Sequence, residues 1–164
     1  MLLRELFESP DFGYKMFVDR DDDIAKLIWN VEFEKDGSKL ESIIIRALSN
    51  VGKTEMLSNN GLNREGIIII RRNGEKFQIT RSQLTQYRQG HEGWASTGLG
   101  QLLYDKAVAE CKKAGIRYLM SDYTLSIEAR KAWKKLATRY PVTKETDSLE
   151  GDKVHYFQID LSKV

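Results

Sequence analysis

Two glycines separated by one residue, Gly98 and Gly100, are the residues whose type and spacing point most directly to binding chemistry. They precede an amphipathic run that ends at Ala114 and is followed by Gly115. A helix N-terminus presents backbone N–H groups without intrahelical partners and a partial positive charge, and glycine lets a ligand approach the backbone closely. The pattern therefore predicts a diphosphate site in which the N–H groups of residues 97–101 are the donors, or else a plain glycine-started helix packed on a sheet.

The chain after residue 90 is predicted to alternate between helices and strands. Apolar residues at helical spacing indicate a helix over residues 98–114 with one face on a sheet, and a short strand over residues 116–120 follows it. Ser126 is a suitable N-cap for a second helix, because its side chain can accept from the first turn. Residues 142–145 and 154–161 are then expected to pair as a terminal hairpin.

The first 90 residues are predicted to form mostly antiparallel strands. Asn73-Gly74 is the strongest hairpin signal, and Lys35-Asp36-Gly37 is a second one. Residues 1–8 have the apolar spacing of a short amphipathic helix or arm, whereas residues 50–66 are polar and read as a long loop. Alternating or β-branched runs indicate the strands, which cover residues 14–18, 26–34, 40–48, 67–70 and 75–79.

This order of elements, together with the glycine turn, resembles the acetyl-coenzyme A-binding core of the GCN5-related N-acetyltransferase (GNAT) family. The family fingerprint Gln/Arg-x-x-Gly-x-Gly/Ala is matched by both glycines, whereas Ala95 stands where Arg or Gln is usual. The resemblance covers residues 90–162, and the block from Ser121 to Leu136 looks most like acetyltransferase-like proteins of tailed bacteriophages. It implies an α+β fold with α/β/α-like layers, in which a mixed, mostly antiparallel central sheet has helices on both faces. A single domain over residues 1–164 is expected, with a mostly β half over 1–90 and the acetyl-coenzyme A-binding core and terminal hairpin over 91–164.

The resemblance also implies an activity, which is the acyl-coenzyme A-dependent transfer of an acetyl group to an unidentified amine or protein acceptor. Acetyl-coenzyme A is then the co-substrate. The expected binding residues are Ala95, Ser96, Thr97, Gly98, Leu99, Gly100, Gln101 and Ser126.

The catalytic groups are less sharply indicated than the binding groups. In the family a tyrosine on the second helix often protonates the leaving thiolate, but Trp133 occupies that position here, and an indole N–H cannot supply this proton. Tyr123 is the nearest replacement, with water as the alternative, and Ser126 is placed to contact the pantetheine arm. Glu92, Glu32 and His91 are the candidates for the general base. Trp133 is otherwise explained as a core aromatic at helical spacing.

A different class of function fits the same departures from the fingerprint. Ala95 and Trp133 favour a catalytically inactive GNAT-fold phage protein that acts by binding a host or virion partner. The retained glycines and the intact order of elements favour the enzyme.

Composition narrows the remaining possibilities. There is no apolar run of about 18 residues, which argues against a membrane span, and Cys111 is the only cysteine, so a reducing cytoplasm, or host cytoplasm if the chain is phage-encoded, is expected. Two distant histidines and one cysteine make no zinc set, and the acidic run at residues 19–23 lacks the glycine and terminal glutamate of an EF-hand, so no metal is expected. Ala47 stands where a P-loop around Gly52 needs glycine.

Charge is unevenly distributed along the chain. Residues 1–35 carry 9 acidic and 5 basic groups, whereas residues 105–139 carry 9 basic and 4 acidic groups. The basic half either forms an ordinary solvated surface or attracts the phosphates of coenzyme A. Its arginines and lysines are expected on helix faces without interleaved exposed aromatic residues, which argues against a nucleic-acid partner. The sequence indicates neither the acceptor nor the oligomeric state.

Overall fold

The structure of the protein is a computed structural model that describes residues 5–15, 24–49, 63–84 and 99–164. These residues form eight strands, two helices and a short final 3-10 helix, Leu161–Lys163. In chain order the elements are β1 (Glu5–Lys15), β2 (Ile24–Asp36), β3 (Lys39–Ser49), β4 (Asn63–Asn73), β5 (Lys76–Leu84), α1 (Leu99–Lys113), β6 (Tyr118–Met120), α2 (Ile127–Leu136), β7 (Val142–Leu149) and β8 (Asp152–Asp160).

All eight strands belong to one sheet in the order β1-β2-β3-β4-β5-β6-β8-β7. Neighbouring strands are antiparallel except β5 and β6, which are parallel and are connected through α1. The turns that close the hairpins require left-handed backbone, and glycine supplies it at Gly37 and Gly74, both with φ of 64°. The expected mixed, mostly antiparallel sheet and the α+β class are therefore confirmed.

One face of the sheet, called here the first face, carries the hydrophobic core. The strand register places Val31, Ile45 and Ile68 side by side on this face. Phe77, Leu119 and Ile159 form a second row on the same face. The buried stripe of α1 covers it, with Leu99, Leu103, Ala107 and Cys111 in the same cluster. Trp133 and Leu136 of α2 belong to that cluster too, so both described helices lie on the first face, whereas a helix layer on each face was expected.

The opposite face of the sheet, called here the second face, mixes polar and apolar side chains. On β2 and β3 it carries an ion pair between Arg46 and Glu32 and a hydrogen bond from Ser42 to Glu34. The register places Ile44, Ile67 and Ile69 on the same face. Gln78 and Gln158 also lie on this face, on either side of Met120.

Local expectations are confirmed for most elements. The helix over 98–114 is observed at Leu99–Lys113, and Gly115, with φ of 79°, ends it. Hydrogen bonds from the N–H of Ile116 to the carbonyl of Cys111 (3.0 Å) and from Gly115 to Lys112 (3.1 Å) form the Schellman arrangement that glycine permits.

The N-terminal prediction is wrong where it can be tested. Residues 5–8 form part of β1 instead of a helix or arm, because pairing with β2 satisfies their backbone groups. Pro10 falls where the register shifts between Glu8 and Gly13, a position that an edge strand tolerates. The terminal hairpin is also longer than expected, since its turn is only Glu150-Gly151, with φ of 52° and 87°. Most of the predicted 50–66 loop lies outside the described residues, and β4 already begins at Asn63.

Candidate functional site

The two parallel strands separate soon after they meet, and this separation defines the candidate site. They pair only at Phe77 with Leu119 and at Gln78 with Met120. Beyond that point β6 has ended, whereas β5 continues to Leu84. Within the described part of the chain, no strand pairs with this last stretch of β5 on the β6 side. The edge therefore offers backbone N–H and C=O groups to an extended ligand.

Both helices begin at this same end of the sheet. Each of β5 and β6 is followed by a helix, so the N-termini of α1 and α2 lie at the carboxyl ends of the two parallel strands. That edge is where open sheets with parallel strands commonly bind ligands. The N–H groups in the first turn of a helix can bind an anion, and Gly100 and Gln101 lie in the first turn of α1.

The predicted phosphate cradle is only partly within the described residues. Ala95, Ser96, Thr97 and Gly98 lie outside them, as do Glu92 and His91. Leu99 is fully buried in the core, where its side chain packs.

Gly100 is the second residue of α1. A Cβ added there would meet only Leu84 Cδ1, at 3.8 Å, an ordinary van der Waals distance. The fold therefore leaves room for a side chain, so protein packing is not what requires glycine at this position.

The side chain of Gln101 joins the two helices. Its Nε2 donates to the Ala132 carbonyl (3.3 Å), and its Oε1 accepts from Arg139 (2.7 Å). The same arginine pairs with Asp105 at 2.9 Å, and Tyr140 donates to that carboxylate at 2.7 Å. Burial and the Asp105 charge raise the pKa of Tyr140 to about 12. The described contacts leave the backbone N–H and one side-chain N–H of Gln101 for a ligand.

Ser126 is the N-cap of α2, as its sequence position predicted. Its Oγ accepts from the N–H of Ala129 at 3.1 Å, and its backbone is extended, with φ of −66° and ψ of 167°. The residue is exposed. If Ser126 contacts a ligand, its one hydroxyl must therefore serve both the helix cap and the ligand.

Tyr123 lies over the second face, away from the far end of β5. Its hydroxyl accepts from Asn73 Nδ2 (3.2 Å) and donates to Asp147 Oδ2 (3.0 Å), while its ring meets Tyr156 edge-on at 5.7 Å. Desolvation and the Asp147 contact raise the pKa of Tyr123, which keeps the phenol protonated at neutral pH. Because Asn73 pairs with the first residue of β5, the hydroxyl is at the opposite end of that strand from Leu84.

Trp133 is a core residue in this structure. It is 1% exposed, stacks on Phe157 at 5.9 Å and meets Tyr104 edge-on at 6.0 Å. Tyr104 in turn shares a hydrogen bond of 2.9 Å with Ser82 on the separating part of β5, and burial raises its pKa. The link between Tyr104 and Ser82 was not predicted, because only the fold brings together side chains 22 positions apart.

The other sequence candidates have structural roles where they are described. Glu32 is engaged by Arg46 on the second face, far along the sheet from β6. Cys111 is buried in the core, and burial raises the pKa of its thiol to about 12, so it is not a nucleophile at neutral pH. Among residues 5–15, 24–49, 63–84 and 99–164 no group of His, Cys, Asp and Glu side chains is arranged to hold a metal ion. No helix in the same ranges is both long and apolar enough to span a bilayer.

Comparison with known proteins gives similarity at the level of structure. No family model and no curated protein matches the sequence. Solved structures that it resembles include an acetyltransferase of the GNAT family from Staphylococcus aureus, at 14% identity and a TM-score of 0.46, over 73% of this chain and 68% of that one.

A Bacillus subtilis acetyltransferase in complex with coenzyme A is 12% identical, with a TM-score of 0.46, over 73% of this chain and 77% of that one. The ribosomal-protein-S18-alanine N-acetyltransferase from Escherichia coli is 11% identical, with a TM-score of 0.45, over 74% and 70%. At these values the similarity concerns the course of the chain and carries no conclusion about activity.

Proposed function

We propose that this protein binds an acyl-coenzyme A and transfers the acyl group, an acetyl group in the simplest case, to an amine. The observation that carries the proposal is the separation of β5 from β6 beside the N-terminus of α1. An extended linker can pair with the free edge of β5 while its diphosphate accepts from first-turn amides.

The residues present fit such a ligand. A Cβ added at Gly100 would meet only Leu84 Cδ1, at 3.8 Å, so the described side chains leave space beside this residue for a ligand. In the proposal, residues 95–101 hold the diphosphate through backbone N–H groups, and Ser126 contacts the pantetheine arm at the start of α2.

The bound thioester would supply an activated acyl group, and the task of the chain is then to orient it and to manage protons. Tyr123 follows the last residue of β6, Met120, in the connection to α2, and its raised pKa keeps on the phenol the proton that a leaving thiolate needs. In the observed arrangement this proton is donated to Asp147, so the role requires the Tyr123 side chain to turn away from Asn73 and Asp147. Glu92 is proposed as the base that deprotonates the amine.

Thermal unfolding with and without acetyl-coenzyme A tests the binding step. Ligand at about 100 times its Kd adds about 2.7 kcal/mol of stability, which is about 5 to 10 °C for a chain of this size. Release of free coenzyme A in the presence of amines then tests transfer. An unchanged melting temperature at millimolar acetyl-coenzyme A would contradict the proposal.

A second candidate is a non-catalytic protein that uses the same fold to bind a partner, such as a host or virion protein if the chain is phage-encoded. Two observations favour this candidate. Trp133 is buried in the core, so it does not take part in proton transfer, and the Tyr123 hydroxyl already donates a hydrogen bond to Asp147. This candidate predicts that no amine accelerates thiol release, whether or not coenzyme A binds.

A further inference from the structure

Lys76, the first residue of β5, has an unusual set of partners on the second face of the sheet. Lys76 Nζ donates to Tyr156 Oη at 2.7 Å and to Gln158 Oε1 at 2.6 Å. It also lies 5.0 Å from the ring centroid of Tyr156 and 5.4 Å from that of Tyr118. These four residues are called here the Lys76 cluster.

The charge of Lys76 is held by neutral groups. No Asp or Glu in the described ranges forms an ion pair with it. An ammonium has three N–H donors, and only two are used, so one remains for an anion. Tyr156 and Gln158 are only 6% and 8% exposed, so packing against the protein holds these two hydrogen-bond partners in place.

A carboxylate with spare hydrogen-bonding capacity lies near the same cluster. Asp122 Oδ1 accepts from Gln78 Nε2 at 3.3 Å and from the N–H of Tyr123 at 2.8 Å. No described group donates to Oδ2. Gln78 and Gln158 flank Met120 on neighbouring strands, so the backbones of these two glutamines are roughly two strand spacings, on the order of 10 Å, apart.

Lys76 and Asp122 carry opposite charges, and each has hydrogen-bonding capacity that the described contacts leave unused. A ligand that bridges them needs a carboxylate for Lys76 and an ammonium group for Asp122, as in a small amino acid. Asp122 is also tied to Gln78, the last residue of β5 that pairs with β6. An amine held at Asp122 would therefore lie next to the point where the parallel strands separate.

We propose that the Lys76 cluster and Asp122 bind a small amino carboxylic acid, with its carboxylate on Lys76 and its ammonium group on Asp122. This inference deepens the proposed function, because it names the class of acceptor whose amine the acyl group would reach. The binding step itself needs no coenzyme A.

Three matched probes test the inference on the full chain. Alanine carries both charged groups, ethylamine lacks the carboxylate, and propionate lacks the amine. Each is titrated without coenzyme A, with binding followed through the NMR signals of 13C-labelled tyrosine rings. Alanine is expected to bind at least about tenfold more tightly than either partial probe, because each lost contact is a hydrogen bond to a charged group.

Four variants assign that preference to the residues. Lys76→Gln should remove the advantage of alanine over ethylamine, Lys76→Arg should restore part of it, and Asp122→Asn should remove the advantage over propionate. Lys144→Gln is the matched control, since it makes the same charge change at an exposed residue opposite Phe157, on the first face. It should leave every affinity unchanged.

The results separate this inference from the proposed function. Equal affinities for alanine and ethylamine, no saturable shift with any probe, or an equal loss in Lys144→Gln would each overturn the amino acid site. If coenzyme A binds in calorimetry while alanine shows no preference, only this inference fails. If alanine binds as described and coenzyme A does not, the amino acid site stands and the proposed function fails.

Discussion

Replacing Gly100 by alanine should change stability and coenzyme A binding in opposite directions. The new Cβ meets only Leu84 Cδ1 at 3.8 Å, so packing does not resist it. Alanine restricts the unfolded chain more than glycine does, so Gly100→Ala should stabilise the protein by about 0.4 to 1 kcal/mol. For a chain of this length, that raises the melting temperature by about 1 to 4 °C.

The same methyl group should weaken binding if the amides near Gly100 contact a diphosphate. Loss of one hydrogen bond to a charged group costs about 1.5 to 3 kcal/mol, which is about tenfold to a hundredfold in Kd. Calorimetry with coenzyme A on the folded variant measures this directly. A Gly100→Ala protein that melts higher and binds coenzyme A with unchanged Kd would refute the assignment of the site to the start of α1.

Two other glycines give the matched controls for this substitution. Gly115→Ala makes the same change at the other end of α1, where φ of 79° strains any side chain, so stability should fall by about 1 kcal/mol while coenzyme A affinity stays constant. Gly66→Ala would place a Cβ 2.7 Å from Leu103 Cδ1 and 3.1 Å from Leu84 Cδ2, so it should destabilise by about 1 to 3 kcal/mol. A Gly66→Ala protein as stable as the parent would show that α1 is not packed on β4 as described.

Three further outcomes follow from the described contacts. Trp133→Ala should lower the free energy of unfolding by about 3 to 5 kcal/mol in urea titrations, because it leaves a cavity between Phe157 and Tyr104. A loss of stability near zero would contradict the position of Trp133 in the core. Ser126→Ala should lower the free energy of unfolding by about 1 kcal/mol, because it removes the hydrogen bond that caps Ala129. Ser126→Asp keeps a capping oxygen and should lower it much less, so equal losses of stability in thermal melts would argue against capping. Burial raises the pKa of Cys111 from 9.0 to about 12, so the unfolded chain releases this proton first and stability should decline as pH rises from about 9 to 12. A Cys111→Ala protein should lose less stability over that range, and rapid thiol labelling of the native protein at pH 8 would contradict the burial.

Local sequence signals determined most of the elements. Apolar spacing and Gly115 determined α1, Ser126 determined the start of α2, and Asn73-Gly74 determined the β4–β5 hairpin, because each depends on contacts within a few residues. The same local reasoning failed at residues 5–8, where a helix-like apolar pattern is overridden by pairing with β2.

Only the tertiary structure decided how these elements combine into a site. Insertion of β8 between β6 and β7 brings Gln158 within reach of Lys76, which is 82 residues away in the chain, and no local pattern encodes that meeting. The early end of β6, which leaves the last stretch of β5 without a described partner on that side, is likewise a property of the sheet and not of either strand. Spacing in the sequence predicts which way a side chain faces on its own element, but the partner it finds there depends on long-range packing.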